Sequence, residues 1–82
     1  MATITAKATV NEVDFSVTRE IELEKLTEED LESLTEELFD KVYNAFHLGA
    51  YVFLEADENR LPVIHYEDDD VIDNAPITFE RG

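Results

Sequence analysis

TEEDLESLTEELFDKVYNAF, residues 27–46, decides the fold. Leu31, Leu34, Leu38, Val42 and Phe46 recur at spacings of 3, 4, 4 and 4, one apolar stripe on a helix. Phe39 and Ala45 widen it. Thr27 is placed to cap the first turn, with Asp30 three residues later completing a capping box. Glu28, Glu29 and Asp30 fill that turn, where the helix dipole favours anions. Gly49 is the expected stop. The pattern predicts a helix over about 28–47.

Upstream the period changes to two. Ile4, Ala6, Ala8 and Val10 alternate with Thr3, Thr5, Lys7 and Thr9. Val13, Phe15, Val17, Ile21 and Leu23 share a face with Arg19, while Asp14, Ser16, Thr18, Glu20 and Glu22 share the other. These are two half-buried strands, and Asn11-Glu12 between them predicts a tight hairpin. A two-residue loop pairs Val10 with Val13, Ala8 with Phe15, Ala6 with Val17 and Ile4 with Arg19. Arg19 on the apolar face is expected to reach the sheet edge or a carboxylate.

Downstream, Tyr51–Ala56 (YVFLEA) is apolar on both faces at first and reads as a central strand. Asp57-Glu58-Asn59-Arg60 is a polar turn. Leu61–Tyr66 returns as a strand, with Pro62 near its start. EDDDVIDNAP reads as an acidic loop, and Ile77–Glu80 as a short edge strand. The expectation is a single α+β domain over 1–82. It has an antiparallel β-sheet of four to five strands in β-β-α-β-β order, with one amphipathic helix packed on one face.

The acids set the function. The chain holds 21 Asp and Glu against 6 Lys and Arg, a formal net charge of -15 over 82 residues. Like charges repel in a compact state, and a domain this small has little stability to spare. Stability is therefore expected to rise as salt screens the carboxylates. Glu20 to Asp40 contains 10 acids with Lys25 as the single base; Glu55 to Asp73 contains 8 with Arg60 as the single Lys or Arg.

Anionic membranes and nucleic acid repel such a surface, so direct binding to either is not expected. No stretch has the roughly 20 apolar residues of a membrane span, and MATITAKATV lacks a secretion-signal pattern. The chain has no cysteine, which excludes disulfides and fits a reducing, cytoplasmic setting.

Catalytic chemistry finds no foothold. His47 suits a helix C-terminus and His65 alternates with Val63 in a strand. Gly49 and Gly82 are the only glycines, so a phosphate-binding loop is absent. Glu67–Asp70 with Asp73 is rich in oxygen ligands. Counted from Asp68, however, position six is Asp73 and position twelve Phe79, where a calcium loop needs Gly and Glu. Neither an enzyme, a cofactor nor a metal site is expected.

The working part is then the acidic surface. Glu29, Glu32, Glu36 and Asp40 form a stripe opposite the apolar one, with Glu28 beside it. Successive carboxylates lie about 4.5–6 Å apart along the axis. Glu20, Glu22 and Glu24 are expected on one strand face at about 6.6–6.8 Å per step. Asp68, Asp69 and Asp70 add a loop cluster. Duplex DNA carries one charge per ~3.4 Å of each strand, a density that adjacent rows approach together. Only Glu37–Lys41 has the usual compensating i, i+4 spacing. Such a scaffold fits a basic nucleic-acid-binding protein, with Tyr43, Tyr51 and Tyr66 as candidate anchors.

By size, charge and layout, the whole chain resembles the small acidic phage-encoded mimics of nucleic acid. These include anti-CRISPR proteins, anti-restriction proteins and uracil-glycosylase inhibitors. The resemblance implies a stoichiometric, non-enzymatic inhibitor of a host defence nuclease or surveillance complex, a CRISPR effector being favoured. It would act in the host cytoplasm as a monomer or homodimer. Two other readings remain open: an antitoxin or immunity protein capping a basic partner, and a small dimeric structural protein whose acids only confer solubility.

Overall fold

The computed structural model describes residues 2–81, apart from the side chain of Leu23. The elements run β1 (Ala2–Val10), β2 (Val13–Ile21), a 3-10 turn at Leu23–Lys25, α1 (Glu28–Phe46), β3 (Tyr51–Ala56), β4 (Pro62–Glu67), β5 (Ile72–Pro76) and β6 (Thr78–Arg81). The protein is α+β, as the periodicities predict. It has two three-stranded antiparallel sheets, ordered β2-β1-β6 and β3-β4-β5, in place of the single expected sheet.

The first hairpin forms in the expected register, from Val10↔Val13 to Ile4↔Arg19. Asn11 and Glu12 both take positive φ, 49° and 68°. That is the two-residue turn whose twist matches the flanking strands. Thr27 accepts from the Asp30 amide while the Asp30 carboxylate accepts from the Thr27 amide, closing the capping box. The helix ends at Phe46 with His47 as its cap, and Gly49 has no positive φ. The stop therefore owes nothing to a left-handed glycine. Ala45, read into the apolar stripe, is exposed.

The division into two sheets has a local cause. Residues 72–76 pair with β4, whereas residues 78–81 pair with β1. The change of partner falls at Pro76-Ile77. Proline has no N–H to extend a ladder, and Ile77 makes a last amide bond to the Pro62 carbonyl at 3.1 Å. The stretch read as an acidic loop thus contains a strand. Its Ala75 is buried, and its Asp73 accepts from the Asn11 amide at 3.1 Å.

One core spans both sheets. Ile4, Ala6, Ala8 and Val10 of β1 meet Leu34, Leu38 and Val42 of α1 and Ile64 and Tyr66 of β4. Phe46 joins the halves, edge-on to Phe15 at 5.8 Å and to Tyr66 at 4.9 Å. The helix covers only the inner side of the sheets, and the molecule measures 44 × 25 × 17 Å. YVFLEA lies at a sheet edge with Tyr51, Phe53 and Leu54 exposed, not in the centre as its hydrophobicity predicts.

Candidate functional site

The two flanks of α1 differ in charge. On the β2 flank, the Arg19 guanidinium donates to Glu37 Oε1 at 2.6 Å and reaches Ser33 Oγ at 3.4 Å. Lys41 donates to the Ser16 carbonyl at 3.0 Å. Arg19 thus finds a carboxylate, as expected. The i, i+4 spacing of Glu37 and Lys41 is not used, because each binds β2 instead.

The β3 flank and the outward side of the helix carry five acids outside the Arg19 contact and the capping box. At 3.6 residues per turn, Glu28, Glu32 and Glu36 fall on this side, and Glu29 and Asp40 point outward. All five are exposed, and among the described residues none has a cation within ion-pair distance. Further along lie Tyr43 and His47, stacked at 5.1 Å.

Two grooves run between this flank and β3. The larger, about 1030 Å³, has Glu28, Leu31, Glu32 and Glu36 on the helix wall and Leu54, Glu55, Arg60 and Leu61 opposite. The smaller, about 780 Å³, places Tyr43 and His47 against Tyr51, Phe53 and Asp69. Tyr43 and Tyr51 are exposed beside it, whereas Tyr66 is buried and belongs to the core.

Of the other expected site residues, Asp68 and Asp69 line the smaller groove, whereas Glu20, Glu22 and Glu24 do not join this face. β2 ends at Ile21, so only Glu20 lies on the strand. Side chains alternate across a strand, and Arg19 faces the helix, so Glu20 points to the opposite side of the sheet. Glu22 pairs with Lys25 at 3.2 Å and Glu24 lies in the 3-10 turn. The predicted carboxylate row of Glu20, Glu22 and Glu24 is therefore absent.

Asp68 is committed to structure. Its Oδ2 accepts from the Tyr66 hydroxyl at 2.5 Å, and its Oδ1 from the Asp70 and Val71 amides at 2.7 and 2.6 Å. The Tyr66 bond first, and the two amides after it, hold the carboxyl below its usual pKa. The same bond, with burial second, raises the Tyr66 phenol. Asp69 and Asp70 remain exposed on the turn that Asp68 organises.

The histidines have local roles. His47 Nδ1 is 3.0 Å from the Tyr43 carbonyl, and His65 Nδ1 is 2.9 Å from Asn74 Oδ1.

Sequence reasoning named Tyr51 as a candidate anchor but missed the rest of β3, whose Leu54 and Glu55 line the larger groove. Its signal was present in a strand that begins apolar on both faces yet carries Glu55 near its end and runs into a polar turn. No protein-family model, curated protein or solved structure matches the chain. Among the described residues, no helix is long and apolar enough to cross a membrane.

Proposed function

We propose that the protein is a stoichiometric inhibitor that lays its acidic helix flank into the basic nucleic-acid-binding site of a partner protein. The favoured partner is a CRISPR effector or another host defence nuclease, met in the host cytoplasm. One observation carries the reading: the carboxylates of Glu28, Glu29, Glu32, Glu36 and Asp40 stand unneutralised on one rigid helix, while Arg19 and Lys41 serve the opposite flank.

Ordinary solubility does not require that division. Mixed signs along a helix are worth a few tenths of a kcal/mol per pair, and like charges at i, i+4 cost a similar amount. Glu28–Glu32, Glu32–Glu36 and Glu36–Asp40 all incur that cost. A preset row of anions offers fast, steered association with a cationic track, weakened by salt. The exposed Tyr43 and Tyr51 supply apolar anchors beside the charges.

The test is charge reversal. A variant with Glu32, Glu36 and Asp40 all changed to Lys is expected to fold and to stop competing with nucleic acid for the partner. Unchanged competition by that folded variant would remove the helix flank from the interface.

A further inference from the structure

Two of the four edge strands, β2 and β3, are treated differently. The two-residue turn makes Val10 and Val13 a hydrogen-bonded pair, and bonding alternates along an antiparallel ladder. The outward N–H and C=O groups of β2 therefore belong to Asp14, Ser16, Thr18 and Glu20. That edge is guarded in the usual way, by charged residues and by Lys41 bound to the Ser16 carbonyl.

On β3, the Asp57 amide donates to the Leu61 carbonyl at 3.0 Å, which sets the phase. Tyr51, Phe53 and Glu55 bond toward β4, and Val52, Leu54 and Ala56 present their main-chain groups outward. Val52 is buried, but Leu54 and Ala56 are exposed. Glu55 is the only charge on this strand and its main chain bonds toward β4; none of the outward-bonding residues is charged, no proline or bulge interrupts the edge, and the larger groove opens along it. An unguarded edge is a template for another strand.

Charge selects the strand. Glu28, Glu32, Glu36 and Glu55 line the groove against a single cation, Arg60. A second copy would bring a further charge of -15. We propose that the β3 edge at Leu54–Ala56 takes up an extended, lysine- or arginine-bearing segment of the partner by strand addition, its cations lying along the helix carboxylates. Main-chain bonds would give affinity, while alternate side chains and the flanking acids would give selectivity. This rests on the reading of the chain as a ligand for a basic protein, and names the recognition mode.

The probe is a capped octapeptide of alternating lysine and valine, titrated at low salt and followed by NMR. Its controls are octalysine and the same Lys/Val peptide N-methylated on its central amides, so that neither edge can donate. Strand addition predicts shifts centred on residues 51–56 and slowed exchange of the Leu54 and Ala56 amides. N-methylation should weaken binding on the order of ten-fold, from the loss of main-chain bonds.

Leu54→Pro removes an outward N–H without breaking a β3–β4 bond and should weaken the Lys/Val peptide similarly. Should that variant not fold, Ala56→Pro and the methylated peptide carry the same comparison. Equal binding of all three peptides, with shifts confined to the helix, would overturn strand addition and leave the acidic docking surface standing. Binding by none of them would overturn both. A dimer of the protein alone, broken by Leu54→Pro, would assign the edge to a second copy and overturn the proposal.

Discussion

The ammonium of Lys41 binds the main-chain carbonyl of Ser16 at 3.0 Å, fastening α1 to the outer edge of β2. The only lysine of the helix is thereby spent on a strand edge and not on a neighbouring glutamate. A charge-assisted bond of this kind is worth about 1.5–3 kcal/mol when sheltered. Lys41 is exposed, so Lys41→Met is expected to cost only about 1 kcal/mol. Urea unfolding measures it, and a more stable variant would show the contact to be incidental.

The carboxylate flank should oppose stability. Glu36 has like-charged neighbours at Glu32 and Asp40. Replacing it with Lys turns two repulsions into attractions, and is expected to stabilise the fold by roughly 0.5–1 kcal/mol. The same change should weaken partner binding. Stabilisation without loss of binding would mean that the acids serve only solubility.

Salt should act in opposite directions on folding and on binding. With a net charge of -15 the compact state is self-repelling, and roughly 0.15 M salt shortens the screening length to ~8 Å. The melting temperature is expected to rise between low and physiological salt, while the affinity for a basic partner falls. Calorimetry and titration on one sample compare the two.

The first turn invites improvement. Glu12 holds a φ of 68°, a region that costs a residue with a side chain about 1–2 kcal/mol. Glu12→Gly creates the Asn-Gly pair preferred in such turns. After the entropy cost of glycine, a gain of about 0.5–1 kcal/mol is expected. Thermal unfolding checks it, and a loss would mean that the Glu12 side chain contributes an interaction of its own.

Asp68 gives the fold a local acid limit. Its folded pKa lies below the ordinary value of 3.8, so its contribution is present above that value and is lost as pH falls through the lower one. Tyr66 is raised, so its contribution is present below the ordinary 10.0 and is lost as pH rises through the higher value. The Asp70 and Val71 amide resonances should titrate with a midpoint below 3.8. A midpoint above 3.8 would contradict the hydrogen-bonded turn.

Local patterns made the helix and the first hairpin legible. The Leu31–Phe46 period, the Thr27 cap and the Asn11-Glu12 pair each act within a few residues. β5 was not legible, because Asp73, Asn74 and Pro76 have low strand propensity and the strand forms only through Asn11, Ile64 and the rest of β4. The edge position of β3 was hidden for the opposite reason. Its hydrophobicity mimics a central strand, and only the topology shows that its outer side has no neighbour. Of the acids, the stripe from Glu29 to Asp40 follows from helical periodicity alone. The row through Glu22 and Glu24 failed because the 3-10 turn cuts the strand at Ile21.

The most direct test is competition. A nucleic-acid-binding protein captured from host lysate is loaded with fluorescent nucleic acid, and the acidic protein is titrated against it. The account predicts displacement at a stoichiometric ratio, lost on reversing Glu32, Glu36 and Asp40 and weakened steeply by salt. A ternary complex, with the partner's affinity for nucleic acid unchanged at saturating acidic protein, would contradict it.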